Sequence, residues 1–451
     1  MKNNKIQKLL SPNDNQALSD QVKKALPANE RVAQKQGMIK QFVNHTQFKK
    51  TTKNNTSLSA QPLIGVEQDC FTDLFSMHSF TADQVIDHHC DNLIGSVEIP
   101  VGVAGPVPTK LVTVDKNGNL SSEKACEFLL PLATLEGALV ASINRGCKAL
   151  AQAKNCSMLV QKKGMTRAPV FGFENHLEAA RFMSWLDQQE YRKKLDKLVK
   201  TVSSHLIYLG HQSWQAGRQV FVRFIFDTDQ AMGMNMVTIA THQIWQEILS
   251  KQWPSARLIS LSGNMCVDKK PSALNRLLGR GYLVDVEAQL SAEVIQSVLK
   301  TSAQTLFKTY YWKNVVGSGL AGSANFNMQA ANAVAAIFLA TGQDMAHVGE
   351  CSQADLFLEV DKSNSLNISL RMPDINVGTV GGGTGFPCFV QARRMMIKEN
   401  NRVVSLTGEQ LAAATALAVL AGELSGLAAL SVNQLAQAHQ KLGRSKQQKG
   451  V

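Results

Sequence analysis

The sequence predicts a mixed α/β (α+β) protein, a large domain with a small α+β domain inserted in it. Three observations predict this. The chain has 451 residues, too many for one compact core. Between about 168 and 262 strand-like and helical patterns interleave, the texture of a separate small domain. Residues 411–432 form a long apolar run rich in Ala and Gly, interrupted by Glu423, which suits a buried helix better than a membrane span.

Taken in order, residues 1–60 are polar and Lys/Asn/Gln-rich and read as a basic N-terminal arm. Short β-branched runs broken by Gly and Pro over 92–108 predict irregular strands and tight turns. A helix is expected over 130–147, because Leu132, Leu139, Val140 and Ile143 recur at helical spacing. The inserted segment should hold helices near 178–198 and 202–214, a strand over 219–226, a helix over 236–251 and a strand over 256–261. Helices follow near 290–311, 327–341 and 408–440, with strands near 355–372. The resulting division is 1–60 as arm, 61–167 with 263–430 as the large domain, 168–262 as the insert and 431–451 as a C-terminal helix and tail.

The net charge of +12 resembles a nucleic-acid or membrane signature until it is located. Residues 1–60 hold 11 Lys and Arg against 3 acids, and 441–451 hold 4 with no acid, which leaves 32 of each sign in the body. The folded part is therefore neutral, and no nucleic-acid or membrane partner is expected. Eight scattered cysteines without a C-x-x-C pair suit free thiols in a reducing cytoplasm. Cys70, His88, His89 and Cys90 fit zinc spacing poorly, so no metal is expected.

Glu136 falls in the apolar stripe of the helix expected over 130–147. A carboxylate there is either a proton donor held protonated by its surroundings or a buried ion-pair partner. The segment 377–384 places four glycines in six residues, so backbone amides can approach a diphosphate. A second string, Gly317-Ser-Gly-Leu-Ala-Gly322, matches G-x-G-x-x-G with Asp344 about twenty residues on. It supports the alternative of another NAD(P)-dependent dehydrogenase with a Rossmann site at 317–322, although Tyr-Trp-Lys-Asn-Val-Val is a poor strand to precede it. In the turn 262–271, Lys269 and Lys270 follow Asp268, placed so that one ammonium could meet an anion and the other a developing oxyanion. Asp344 lies just past Gly342, the stop signal of the helix over 327–341. The Met-rich string 231–236 follows a strand, and its Gly and Asn argue against simple core packing.

Together these strings resemble the catalytic part of the 3-hydroxy-3-methylglutaryl-coenzyme A reductase family, from about residue 91 to 445. The resemblance is carried by Thr134-Leu-Glu-Gly-Ala-Leu-Val-Ala-Ser142, Gly164-Met-Thr-Arg-Ala-Pro169, Ala231-Met-Gly-Met-Asn-Met236, Ser262-Gly-Asn-Met-Cys-Val-Asp-Lys-Lys-Pro271, Gly342-Gln-Asp344 and Gly378-Thr-Val-Gly-Gly-Gly-Thr384, in the family's order. The tail 438–446 is similar to that of the eukaryotic and archaeal class.

The resemblance implies a large substrate-binding domain built around a central helix, with a ferredoxin-like nicotinamide domain inserted. It implies a four-electron reduction of the thioester to mevalonate through mevaldehyde, by two NADPH, or NADH, with CoA released between the two hydride transfers. Glu136 would be the proton donor, Lys269 the oxyanion stabiliser, Asp344 the group linking them and His439 the acid for the departing thiolate. Arg167, Ser262, Asp268, Lys270, Lys313 and Asn332 would hold the hydroxymethylglutaryl group, and Ser142, Asn144, Arg145 and Lys300 would hold CoA. Ser203, Met232, Gly233, Met234 and Asn235 would contact the nicotinamide cofactor, with Gly378, Gly381, Gly382 and Gly383. The working unit would be a soluble, cytoplasmic homodimer or larger, with the Lys269 loop facing the neighbour's Glu136.

Three departures bear on the coenzyme and its surroundings. Gln230 stands where the family usually has an acid, Ser203-Ser204 where eukaryotic members have Ser-Arg, and Gly443-Arg444 where they have Asn-Arg. Gln329 stands where the family usually has His.

Overall fold

The computed structural model describes residues 27, 29–34, 36–37, 80–86, 88–115 and 118–432. His439, most of the N-terminal arm and the tail lie outside the described residues. Two compact units divide the chain, Met1–Ile99 with Phe386–Cys388, and Pro100–Gly385 with Phe389–Val451. In the first, Val32, Ala82, Val85, Ile86 and Leu93 form a small apolar cluster against Phe80 and Phe386. The rings of Phe80 and Phe386 stack with centroids 5.2 Å apart.

The second unit is built on two sheets that share one strand. A hairpin of β1 (Val101–Val114) and β2 (Leu120–Ala133) places β1 parallel to β3 (Cys156–Arg167). Beyond β3 come β8 (Gly281–Leu290), β10 (Leu366–Ile375) and β9 (Asp355–Val360), each antiparallel to its neighbour. On the other edge β2 pairs with β11 (Ile397–Glu399), which pairs with β12 (Arg402–Val403). Pro131 can donate no ladder hydrogen bond, and it lies past the end of the β11 pairing, which stops at Phe128.

The end of β3 passes into the second sheet, where Met165–Arg167 pair with β6 (Gln219–Asp227). There β6 lies between β5 (Ile207–Ala216) and β4 (Val170–Gly172), and β4 pairs with β7 (Arg257–Ser260), all antiparallel. Helices His176–Leu186 and Gln189–Val202 connect β4 to β5, and a helical segment beginning with Met234–Ile244 connects β6 to β7. This part has its own core, including Phe171, Phe182, Phe224, Phe226 and Ile244.

The helix Gly408–Ser431 runs through the larger core. It is long and apolar enough to cross a membrane, with mean hydropathy 1.7, yet the whole apolar stretch is buried in the protein. Its buried acid is accounted for locally. Glu423 is fully buried and accepts the Met328 and Gln329 N–H groups at 2.6 and 2.7 Å, at the start of the helix Ala330–Thr341. Burial raises its carboxyl, and those two N–H bonds work against the rise. Helix Leu139–Leu150 crosses the central helix closely because Gly146 has no side chain: a Cβ there would collide with the Ala421 carbonyl.

Two sequence expectations are corrected. The helix expected over 130–147 begins at Leu139, and Leu130 and Leu132 belong to β2. Their spacing of two alternates with Cys126 and Phe128 as a strand face, so the apparent helical stripe joined two elements. The helix expected over 202–214 is mostly β5. Only two residues, Gly217 and Arg218, separate β5 from β6, and that hairpin turn, with Gly217 at φ 61°, was the available signal.

Candidate active site

Glu136 does not lie on a helix. It occupies the bend between β2 and the helix Leu139–Leu150, exposed to solvent in the single chain, and its N–H donates to Thr134 Oγ1 at 2.9 Å. The expected apolar surroundings are absent because Ala138, at φ 73°, takes the left-handed conformation that starts the helix only at Leu139, after Glu136. Glu136 and Lys269 form no ion pair within one chain among the described residues.

The loop after β7 is strained. Asn264, Val267 and Lys269 all have positive φ, at 64°, 49° and 64°, and for a β-branched residue such as Val267 this is a marked outlier. The loop is held from outside. Gly263 N–H donates to the Ala168 carbonyl at 2.6 Å, Thr166 Oγ1 to the Cys266 carbonyl at 3.3 Å, and Lys269 N–H to Glu350 Oε2 at 2.7 Å. Strain so pinned fixes the Lys269 side chain, whose Nζ lies 2.9 Å from Asp344 Oδ2.

Asp344 follows the Gly342 cap of the helix Ala330–Thr341, where the stop signal placed it. Its Oδ1 accepts the Ala346 N–H at 3.0 Å, so the turn itself orients the carboxylate. Burial works to raise this carboxyl, but Lys269, the Ala346 N–H and His347 together outweigh it and hold it below its ordinary range.

Behind this pair lies a buried network that the sequence reading missed. The guanidinium of Arg280 is fully buried and meets Glu350 at 2.7 and 2.9 Å and Asp268 at 3.0 Å. It also donates to Thr166 Oγ1 at 3.0 Å and Met234 Sδ at 2.9 Å. Burial alone would lower Arg280, and the two acids more than reverse this, so it stays charged. Glu350, also fully buried, accepts from Asn275 at 3.0 Å and faces His347 Nδ1 at 3.1 Å. Arg223 reaches Asn275 Oδ1 at 3.2 Å, and burial followed by the nearby Arg280 pushes it down to about 10, which leaves it charged at neutral pH. The spacing Asp344, His347, Glu350 puts all three on one face of a helical turn, and this was the signal to be had. Asp268, His347 and Glu350 offer ligand atoms within 4.8 Å of one another, but the Arg280 guanidinium already provides the cation between two of them.

Arg167 faces the same region. Its guanidinium donates to Thr238 Oγ1 at 2.6 and 3.0 Å and lies 4.0 Å from Asp268. Ser262 Oγ is 3.6 Å from Cys266 Sγ, and Lys270 Nζ donates to the Asp268 carbonyl at 3.0 Å. Lys313 is exposed, with Glu423 near enough to feel its charge, and Asn332 Nδ2 reaches Gln329 Oε1 at 3.5 Å. Of the residues expected to hold CoA, Ser142 and Arg145 bond to Ser425 of the central helix and Asn144 Oδ1 accepts the Gly105 N–H. Lys300 is exposed at φ 60°.

The two cofactor strings meet. Ala231 and Val380 form a parallel bridge, and Thr379 N–H donates to the Gln230 carbonyl at 2.8 Å. Gly378 is required here, since a Cβ would collide with the Met232 amide nitrogen. Gly233, at φ 82°, precedes the helix Met234–Ile244, with Asn235 exposed. Gly381 and Gly382, at φ 85° and 55°, expose backbone to open space, and Gly383 follows them. Ser203 ends the helix Gln189–Val202, and its Oγ accepts the His205 N–H at 3.2 Å. Gln230 has a local use: its Oε1 accepts the Gly408 N–H at 2.6 Å, at the head of the central helix.

The alternative site at 317–322 is removed. Helix Ala303–Tyr310 runs through a π-helical stretch Tyr311–Gly317 into Ser318–Leu320, so no strand leads into the glycines and no phosphate-binding turn is formed.

A family model described as "Hydroxymethylglutaryl-coenzyme A reductase" matches residues 56–444. The chain is 41% identical over 369 residues to 3-hydroxy-3-methylglutaryl-coenzyme A reductase of Pyrococcus horikoshii, covering 81% of this chain and 86% of that one. It is 39% identical over 405 residues to the reductase of Aeropyrum pernix, covering 89% and 93%. Among solved structures, the class II reductase of Streptococcus pneumoniae bound to NADPH in open conformations has a TM-score of 0.58 at 18% identity, covering 80% of this chain and 81% of that one, and so shares the fold. The chain belongs to the hydroxymethylglutaryl-coenzyme A reductase family.

Proposed function

We propose that this chain reduces 3-hydroxy-3-methylglutaryl-CoA to mevalonate and CoA, consuming two NADPH, as a step of isoprenoid biosynthesis. The observation that carries the reading is the Lys269–Asp344 pair at 2.9 Å on a strained, externally pinned loop. Lys269 can leave its partner to stabilise a thioester oxyanion, and Asp344 keeps it aimed. Arg167, with Lys270 and Ser262 on the same loop, suits the free carboxylate and hydroxyl of the substrate. Lys313 and Asn332 complete the acyl site, and Ser142, Asn144, Arg145 and Lys300 form the CoA side.

NADPH would be held by 232–235 and the glycine loop, where backbone amides approach a diphosphate without side-chain obstruction. When bound it supplies the two hydrides. The antiparallel unit of β4 to β7 and its helices is read as the ferredoxin-like cofactor domain.

Glu136 does not meet Lys269 within one chain, and this supports a site shared between two copies, each lending Glu136 to the other's Lys269. Leu135 beside it is 82% exposed and Val103 44%, apolar surface suited to cover by a second subunit. His439 completes the reading as the acid for the CoA thiolate. The described cysteines are free thiols, in keeping with a reducing cytoplasm.

The test is steady-state turnover with NADPH and with NADH, alongside Glu136→Gln and Lys269→Ala. Wild type should oxidise two cofactors per thioester, and both variants should fold but form no mevalonate. Normal turnover in either variant refutes its assigned role.

A further inference from the structure

We propose that His347 is a positioning residue for the reduction, a standby donor that catches the Asp344 carboxylate when Lys269 turns to the substrate. The inference rests on the reading of Lys269 and Asp344 as the reacting pair.

His347 is fully buried. Its Nδ1 lies 3.1 Å from Glu350 Oε2, an oxygen that already receives the Lys269 N–H and one Arg280 contact. Such an oxygen accepts, so Nδ1 donates, and the ring orientation is fixed. The other nitrogen, Nε2, is buried with no hydrogen-bond partner among the described residues. It points between two carboxylates, 3.7 Å from Asp344 Oδ2 and 3.7 Å from Asp268 Oδ1. These are the same two oxygens that Lys269 holds at 2.9 Å and Arg280 at 3.0 Å.

An orphaned buried nitrogen is a cost that packing alone does not explain. The geometry gives it a use. While Lys269 holds Asp344 Oδ2, Nε2 is too far to bond; closing to about 3 Å makes a hydrogen bond. When the ammonium moves to a substrate oxygen, Oδ2 loses its donor, and an Nε2–H donor replaces it. Asp344 then stays in place instead of following Lys269, and the ammonium returns to the same geometry for the second reduction. The charged groups facing the ring are Asp344 and Glu350 from its own turn, Asp268 and Lys269 from the loop and Arg280 from the start of β8.

The experiment compares His347→Leu, His347→Gln and Lys269→Ala in the full chain, measuring kcat, KM for the thioester, melting temperature and the pH profile of kcat. Leu removes both donors and should lower kcat about ten- to hundredfold, with KM little changed. Gln keeps a donor that cannot titrate. It should recover part of the rate and give a flatter pH profile of kcat than wild type. If Leu fails to fold, the Gln profile decides the matter. Wild-type kcat and an unaltered profile in His347→Gln overturn the proposal, as does a loss of kcat and KM together with a lowered melting temperature. Retained turnover in Lys269→Ala overturns the reading beneath it, whereas an inactive Lys269→Ala beside unaltered His347 variants overturns the His347 inference alone.

Discussion

Replacing Glu350 with Gln should release the Lys269 loop. In the folded chain Glu350 Oε1 accepts from Asn275 and Arg280, and Oε2 from Lys269 N–H, Arg280 and His347. A glutamine offers one oxygen and one NH2 group. With the NH2 on the Oε2 side, the Lys269 N–H is orphaned; on the other side it faces the Asn275 NH2, which cannot turn over without giving up its bond from Arg223. One buried donor left without a partner costs about 1–3 kcal/mol. Arg280 also loses one of its two acids, and breaking a buried ion pair from one side costs about 3–5 kcal/mol in all.

The exposed Lys269–Asp344 pair, with side chains 43% and 38% accessible, cannot compensate, since such pairs contribute at most about 1 kcal/mol. Loop order should therefore track Glu350. At about 1.4 kcal/mol per factor of ten, amide exchange of the peptide spanning 262–272 should accelerate roughly a hundred- to several thousandfold. A peptide from β5 and β6 should change little. Measured by hydrogen exchange and mass spectrometry, an acceleration below about tenfold with unchanged kcat would refute the assignment of Glu350 as the loop's anchor.

Two further outcomes follow from the same geometry. Gly378→Ala forces a Cβ onto the Met232 amide. Overpacking of about 1–3 kcal/mol should appear as roughly five- to hundredfold weaker NADPH binding in a fluorescence titration, and wild-type affinity would show that the two strings need not touch. Asp374 is buried, and burial followed by Glu350 holds its carboxyl well above the ordinary value, with Gln353 its donor at 2.8 Å. Because the folded-state pKa is the higher one, its contribution to stability is full below the ordinary carboxyl range and is lost as pH rises toward the folded value. Asp374→Asn should therefore lose less stability than wild type as pH rises above the ordinary carboxyl range, read from urea midpoints, and parallel slopes would count against a buried protonated carboxyl.

The sequence alone determined what depends on near neighbours. Gly342 ended a helix and set Asp344 at its close, the Glu423-interrupted apolar run 411–432 favoured a buried helix over a membrane span, and the glycines of 378–383 marked backbone open to close approach. The motif strings identified the family because they are specific in type and order.

Tertiary structure decided what distant segments do to one another. Pairing with β1 drew Leu130 and Leu132 into a strand and left Glu136 in a bend, and pairing with β6 made a strand of residues expected to be helical. Lys269, from the loop after β7, reaches Glu350 and Asp344 some eighty residues away only because the fold folds that loop against the end of one helix. Arg280 was invisible in sequence for the same reason, and the helical spacing of Asp344, His347 and Glu350 did not tell that Glu350 is buried against it. A charge is informative only when its solvent is known, and burial beside a counter-charge is a property that no local pattern records.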